Sequence, residues 1–184
     1  EIEDRRSEAS QAPNSNRPLE NGVNSDPNSQ LPAPSSELPR LRLGIYDYLD
    51  GPGFLIPRVY PHLLAENLYY ARRLGFTDYF GEGEQNWGLA GAQPWLVAQL
   101  LQDPEQDVDR LLNEYYQRYF KESAVPMRRF FERCEEQWMN QPGDAYWLKF
   151  YRNETQAILF PPEVCRELRG YLQEAASLVK TRKV

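Results

Sequence analysis

The stretch Leu41-Arg-Leu-Gly-Ile-Tyr-Asp-Tyr-Leu-Asp50 alternates apolar and polar side chains before the turn-forming run Asp50-Gly-Pro-Gly53. Such alternation predicts a β-strand that ends at the turn. Pro61 to Leu74 then carries an apolar stripe at helical spacing, followed by Gly75, and predicts an α-helix. A second strand is expected over Phe76 to Phe80, so the order of elements is strand, helix, strand.

Carboxylates and aromatic rings follow both predicted strands. Tyr46-Asp-Tyr-Leu-Asp50 closes the first strand, and Tyr79-Phe-Gly-Glu-Gly-Glu84 closes the second. Units of this kind build β/α barrels, in which sites form on the loops after the carboxyl ends of parallel strands. A closed barrel needs eight units and about 250 residues, whereas this chain of 184 residues supplies two units. The expected fold of residues 41–103 is therefore an incomplete, TIM-like β/α-barrel segment.

The chain after this segment is expected to be helical, which makes the fold class α/β followed by α. A helix near Gln93 to Gln102 precedes three amphipathic stretches with apolar residues at three- and four-residue steps. Residues 145–160 fit either a short helix or an extended connector. We expect residues 104–184 to form a C-terminal helical bundle. Its apolar stripes are Val108, Leu111, Leu112, Tyr115, Tyr116 and Tyr119; Met127, Phe130, Phe131, Cys134 and Trp138; and Val164, Leu168, Tyr171, Leu172, Ala175 and Val179.

Residues 1–40 differ from the rest in composition. They are rich in Ser, Asn, Pro, Gln and Glu, and the first aromatic residue of the chain is Tyr46. Such a segment buries too little apolar surface to offset its ordering entropy, so we expect a disordered N-terminal tail or linker. A regulatory or Pro-rich recognition role is less favoured, because no Pro-x-x-Pro repeat is sustained.

The overall charge disfavours two classes of partner. Lys and Arg total 21 against 27 Asp and Glu, for a net charge of −6, which repels nucleic acid phosphates and anionic lipid surfaces. The sequence has no apolar run long enough to cross a bilayer. We therefore expect a soluble protein without nucleic-acid or membrane partners. The sequence does not determine the cellular compartment; a secreted or periplasmic parent protein is one option.

Few residues suit metal or nucleophilic chemistry. His62 is the single histidine, and the cysteines are Cys134 and Cys165, which is too few for a zinc site and leaves no Ser-His-Asp pattern. No cofactor and no metal are expected. His62 follows Pro61 and fits a surface or capping side chain, while Cys134 fits a small buried hydrophobe. A disulfide between the two cysteines stays open.

Several motifs together carry a resemblance to a known family. From about Leu43 to Ala176, the chain resembles the C-terminal part of a bacterial domain-of-unknown-function family related to α-glucuronidase and β-hexosaminidase-like glycoside hydrolases. The resemblance implies that the two strands are the last two of a barrel that continues into a helical domain. The motifs are Tyr46-Asp-Tyr-Leu-Asp50, Tyr79-Phe-Gly-Glu-Gly-Glu84, Leu100-Leu-Gln-Asp-Pro104, Leu111-Leu-Asn-Glu-Tyr-Tyr116 and Tyr119-Phe120.

The resemblance also implies sugar-contacting residues. Tyr48-Leu49-Asp50 looks like the Tyr-Leu-Asp step with which β-hexosaminidases hold a sugar's substituents, and Phe80-Gly81-Glu82 is similar to their Trp-Gly-Glu. Strand alternation favours Tyr48 and Asp50 over Asp47 as residues of one face. This chain departs from the family pattern at Phe80, where Trp is expected, and at Lys121, where Gly is expected.

Each candidate has a structural alternative. Asp50 fits turn chemistry, Glu82 and Glu84 fit solvated or capping carboxylates, and Trp87 fits a core or interface ring. Catalysis by Glu82 and Glu84 is the least favoured reading of that pair. The substrate-binding residues predicted from the sequence are Tyr48, Asp50, Glu82, Glu84 and Trp87.

Two classes of function follow. The first is a fragment of a glycoside-hydrolase-like, carbohydrate-active protein, which contributes sugar contacts and is not catalytic alone, since the family's acid/base carboxylates lie on earlier strands. Its expected ligand is an oligosaccharide or glycoside, and its exposed strand edges favour self-association. The alternative is a non-catalytic helical interaction or structural module.

Overall fold

The computed structural model describes residues 41–49, 53–83, 86–144 and 149–180, all within one compact unit, Leu41–Val184. The tail predicted for residues 1–40 lies outside these described residues. Helices make up most of the described chain, and two strands form a small sheet. The elements are β1 (Gly44–Tyr48), α1 (Pro61–Arg73), β2 (Asp78–Glu82), α2 (Trp87–Ala90), α3 (Ala92–Leu100), α4 (Val108–Phe120), α5 (Ala124–Met139) and α6 (Pro162–Leu178), with 3-10 turns at Lys121–Ser123 and Glu154–Leu159.

The predicted order of strand, helix, strand and the later helices is confirmed. The second strand begins two residues later than Phe76, where the sequence placed its start. The cause is the end of α1: Gly75 adopts a φ of 84°, and the amide of Phe76 still donates to the carbonyl of Ala71 at 3.1 Å. Pairing with the first strand starts only at Thr77, whose amide donates to the Leu43 carbonyl at 2.9 Å.

β1 and β2 pair in parallel. Gly44 lies opposite Asp78 and Tyr48 opposite Glu82, and the amide of Leu49 donates to the Glu82 carbonyl at 3.0 Å beyond the last pair. Parallel strands need a crossover connection, which α1 and its flanking loops supply. The carboxyl ends of both strands therefore lie at the same edge of the sheet. Whether further strands complete a barrel around this pair stays a prediction.

The core joins the strand–helix–strand segment to the later helices. One hydrophobic cluster contains Leu49, Leu64 of α1, Leu96 of α3, Phe131 of α5 and Leu168 of α6. Burial of such side chains contributes about 1.5–3 kcal/mol each. The partial barrel segment and the helical region expected from the sequence thus share one apolar core.

The two cysteines are free. Cys134 is fully buried on α5, where burial raises the pKa of its thiol to about 12, and Cys165 is exposed on α6. The hypothesis that Cys134 is a small buried hydrophobe is confirmed. The disulfide that the sequence left open is not formed.

Lys121 ends α4 in a conformation that side chains rarely adopt. Its φ is 50° and its ψ is −118°, a region that favours glycine because a Cβ there crowds the backbone. The resemblance described above leads one to expect Gly at this position, and the backbone gives the physical reason. Lysine is therefore held under strain at the junction of α4 and α5.

We predict that Lys121→Gly stabilises the protein. Relief of about 1–3 kcal/mol of strain exceeds the entropic cost of glycine, about 0.5–1 kcal/mol, so the free energy of unfolding should rise by about 1 kcal/mol. Urea unfolding measures this change. Gln117→Gly, at an exposed position in the last turn of α4, serves as the control and should lose up to about 1 kcal/mol. Equal losses in both variants would contradict the conformation of Lys121.

His62 links three helices. Its backbone amide at the start of α1 donates to Glu135 Oε1 of α5 at 3.0 Å, and its ring Nδ1 lies 2.8 Å from Glu135 Oε2. Its Nε2 lies 3.6 Å from Asp109 Oδ1 of α4. The hydrogen bond to Glu135, opposed by partial burial and assisted by the charges of Glu135 and Asp109, raises the pKa of His62 above its ordinary 6.5. The half-exposed ring bridges the carboxylates of Glu135 and Asp109 and so links α1 to α5 and α4. The sequence did not indicate this link.

We predict a pH-dependent stability that originates at His62. Because the folded-state pKa is raised, protonated His62 stabilises the fold fully below its unfolded pKa, and this stabilisation is lost as the pH rises through the folded-state pKa. The urea concentration at the unfolding midpoint should therefore decrease as the pH rises above the ordinary histidine pKa of 6.5. In His62→Gln this slope should flatten. An unchanged slope in the variant would assign the pH dependence to other groups.

Candidate functional site

The two faces of the sheet differ in their surroundings. Successive strand residues point to opposite faces, so Ile45 and Asp47 share a face with Tyr79, while Tyr46 and Tyr48 share the other with Phe80 and Glu82. Ile45 and Tyr79 pack against the core. We call the opposite side, formed by Tyr46, Tyr48, Phe80 and Glu82, the open face.

On the core side, Asp47 is used internally. The hydroxyl of Tyr79 donates to Asp47 Oδ2 at 3.3 Å. Burial first, and the Asp47 charge second, raise the pKa of Tyr79 well above its ordinary 10, so the phenol stays protonated and remains a donor. The sequence argument that Asp47 and Tyr48 point to opposite faces is confirmed.

The open face carries a stacked aromatic pair. The rings of Tyr46 and Phe80 lie 5.0 Å apart at 13° between planes, with exposures of 57% and 58%. Tyr48 meets Tyr46 edge-on at 5.2 Å, and the Tyr46 hydroxyl donates to the Glu82 carboxylate. The two exposed rings in contact therefore form an aromatic patch beside a carboxylate.

This arrangement suits one type of ligand chemistry. An aromatic face covers an apolar C–H surface, and an ionised carboxylate accepts hydrogen bonds from hydroxyl groups. Tyr46 and Phe80 offer the first property, and Glu82 offers the second at the carboxyl edge of the sheet. A ring-shaped ligand with one apolar side and several hydroxyls matches both.

The structure brings together two of the five residues predicted from the sequence. Tyr48 and Glu82 are the last residues of their strands and lie directly opposite each other. Trp87 is the first residue of α2 and is 57% exposed, with no hydrogen bond or ring contact to either residue. Asp50 and Glu84 lie outside the described residues.

A buried glutamine holds the carboxyl end of β1. Gln93 of α3, 3% exposed, donates to the Leu49 carbonyl at 2.5 Å and accepts from the Tyr60 amide at 2.8 Å. The hydroxyl of Tyr60 donates to the Tyr48 carbonyl at 3.0 Å. Gln93 therefore fixes the strand end against the start of α1, which sets the position of Tyr48.

Arg58 reinforces the same strand end. Its guanidinium lies over the rings of Phe54, Tyr60 and Trp138, at 5.1, 4.6 and 5.6 Å from their centroids, and it donates to the Tyr48 carbonyl. Among the described residues no carboxylate forms an ion pair with it. The cation is thus stabilised by aromatic faces and one carbonyl.

A second buried glutamine anchors the loop after β1. Gln156, 1% exposed, accepts from the Leu55 amide at 2.6 Å and donates to the Asn153 carbonyl at 2.9 Å. Gly53 packs so tightly that an added Cβ would lie 2.3 Å from the ring of Tyr151. The loop that follows the open face is therefore bound to the segment before α6.

The residues predicted from the sequence did not include Tyr46, Phe80, Gln93, Arg58 or Gln156. Tyr46 could have been found by strand alternation, since it precedes Tyr48 by two positions and so shares its face. Gln93 and Arg58 gave no local signal, because their partners are 44 and 10 residues away and depend on tertiary packing.

The part of the chain that the structure describes lacks both a metal-binding cluster and a membrane-spanning helix. It holds no group of three or more His, Cys, Asp or Glu side chains placed to bind a metal ion. None of its helices is both long and apolar enough to span a bilayer.

Comparison with known proteins identifies a family. A family model with the description Domain of unknown function (DUF4838) matches residues 36–133, more than half of the chain. No curated protein and no solved structure matches this chain. The matched range includes both strands and the whole open face, and it ends within α5.

We predict that Gln93→Leu strongly destabilises the protein. The substitution leaves the Leu49 carbonyl and the Tyr60 amide buried without partners, at a cost of about 2–4 kcal/mol in the free energy of unfolding. Gln102→Leu, which removes an exposed bond to the Ala98 carbonyl, is the control and should change stability by less than about 0.5 kcal/mol. Similar urea midpoints for the two variants would show that Gln93 does not hold the strand end.

Proposed function

The chain belongs to the DUF4838 family, and we propose that this member is part of a bacterial, glycoside-hydrolase-like protein whose open face contacts a carbohydrate. The observation that carries the proposal is the exposed stack of Tyr46 and Phe80 beside the Glu82 carboxylate. A pyranose has an apolar C–H side for the rings and hydroxyl groups for the carboxylate.

The position of the open face supports a barrel origin. In a β/α barrel, strands turn one face to the helices and the other to the interior, and sites lie at the carboxyl ends. Tyr48 and Glu82 occupy such ends, on the face turned away from the helices. Parallel sheets are normally covered on both faces, so the pair β1 and β2 needs neighbours. We therefore propose that they are the last two strands of a TIM-like barrel.

The carboxylates favour contact rather than catalysis by this segment alone. Glycoside hydrolysis generally uses two carboxyl groups that flank the scissile bond. Asp47 faces the core, and Asp78 pairs with Arg42 at 2.6 Å near the amino end of the sheet. Within the described part of the strands, Glu82 is the carboxylate at the carboxyl edge of the open face. An acid/base pair would have to come from elsewhere in the protein.

A second candidate function is a non-catalytic interaction module. Its specific support is the same exposed ring pair, together with the outer edges of a two-stranded sheet, which are templates for another strand. In this case a protein surface, including a second copy of the chain, covers Tyr46 and Phe80. Sugar binding distinguishes the two candidates.

We predict that Glu82→Ala weakens carbohydrate binding by about tenfold or more, because a hydrogen bond to a charged group contributes about 1.5–3 kcal/mol. Calorimetric titration with methyl glycosides of hexoses, uronic acids and N-acetylhexosamines, in the longest natural form of the protein, measures the effect. Urea unfolding confirms equal stability of the variants.

The matched control is Asp78→Ala, on the same face at the opposite end of the sheet. Its affinity should stay within about twofold of the original, since its partner is Arg42 rather than ligand. Equal losses in both variants, or a panel in which no glycoside binds, would reject the sugar-binding role and favour the interaction module.

A further inference from the structure

A groove lies where α4, α5 and α6 meet, and it shares no residue with the open face. The end of α4, the 3-10 turn Lys121–Ser123, the start of α5 and the end of α6 border an open groove of about 520 Å³. We call it the C-terminal groove. Its lining residues are Tyr119, Phe120, Lys121, Glu122, Ser123, Met127, Ala175, Ala176, Val179 and Lys180.

The walls of this groove are apolar and well supported. Tyr119 stacks on Tyr115 at 5.4 Å and meets Phe120 edge-on at 4.9 Å, yet it remains 49% exposed. Ser123 donates to the Ala175 carbonyl at 3.0 Å and ties the turn to α6. The wall and the turn are therefore each supported by contacts within the fold, and the groove volume lies within the roughly 300–1,000 Å³ of small-molecule sites.

Its rim is cationic. Lys121 and Lys180 line the groove, and neither ammonium forms an ion pair with a carboxylate of the described residues. Glu122 accepts from the Lys180 amide at 3.2 Å. Backbone hydrogen bonds, with smaller contributions from the two lysine charges, lower the pKa of Glu122, so it is ionised at neutral pH. Two cations and one carboxylate leave a charge of +1 at the rim, on a chain of net charge −6.

The backbone conformation of Lys121 is a second argument for a role of this cation. Residues held in rarely populated conformations often have functional roles, and glycine would fit this position without strain. Lysine in its place supplies a cation at the groove at the expense of stability.

We propose that the C-terminal groove binds a small anionic amphiphile, with an aromatic or aliphatic body against the apolar walls and one acidic head group near Lys121 and Lys180. The volume fits a small molecule, and the net positive rim complements a single negative charge. This site is separate from the open face and does not depend on the sugar-binding proposal.

Two probes with the same aromatic body test the site on the full chain. These are 1-anilinonaphthalene-8-sulfonate, which is anionic, and N-phenyl-1-naphthylamine, which is uncharged. Fluorescence titration should give an affinity about two- to fivefold higher for the anionic probe. Lys180→Gln should lower only the affinity for the anionic probe, by a similar factor, and Glu122→Gln should raise it, while both leave the uncharged probe unchanged.

A steric variant tests the location. Ala176→Trp fills the groove from an exposed position and should abolish binding of both probes, whereas Gln173→Trp, exposed on the same helix outside the groove, should not. Each variant must still unfold cooperatively in urea, and neither probe may lower the urea concentration at the midpoint. A lower midpoint would show that the dye binds a partly folded chain, which would overturn the proposal.

Other results would also overturn it. Equal affinities for the two probes would rule out a preference for anionic ligands. Equal effects of Ala176→Trp and Gln173→Trp would show that the probes bind outside the groove. Binding that appears only after removal of residues 181–184 would assign the groove to the chain's own terminus. If sedimentation shows that the chain forms a dimer and probe binding decreases as the dimer forms, the groove would be assigned to contact with a second copy.

Discussion

β1 and β2 run in the same direction, so the chain must return along the sheet between them, and α1 with its two flanking loops makes this return. The parallel pairing brings the carboxyl ends of both strands to one edge. It also fixes the register in which Tyr48 lies opposite Glu82 and Tyr46 opposite Phe80. Every property of the open face, including the stacked rings and the nearby carboxylate, depends on that register.

The register alone does not hold the edge in place. Gln93 and Arg58 bind the carbonyls at the end of β1, and Gln156 holds the loop that follows. Each of the two glutamines is almost fully buried, and its side-chain amide has hydrogen-bond partners. Buried polar groups with partners help to specify one packing arrangement, whereas those without partners destabilise the fold. The open face is exposed on one side and rigidly supported on the other, an arrangement suited to ligand contact.

The sequence predicted the elements better than it predicted the site. Alternation and helical spacing are local properties, so β1, α1 and the later amphipathic helices could be located from them. The start of β2 was missed because Gly75 lets the end of α1 extend to the amide of Phe76, a detail of backbone geometry. Gln93 and Arg58 act across the fold, and their partners are visible only after packing. The strained Lys121 was noticed in the sequence as a departure from a family pattern, while its cause needed the backbone angles.

The central claim is that the stack of Tyr46 and Phe80 receives the apolar side of a sugar ring on an outward ring face. Intermolecular nuclear Overhauser effects between a bound glycoside and ring-labelled Tyr and Phe, in the longest natural form of the protein, test it directly. The account predicts cross-peaks from the sugar's C–H protons to the ring of this stack whose face is turned outward, and a lower glycoside affinity when either residue is replaced by Leu. Cross-peaks confined to other aromatic residues, with none to Tyr46 or Phe80 at saturating glycoside, would contradict it.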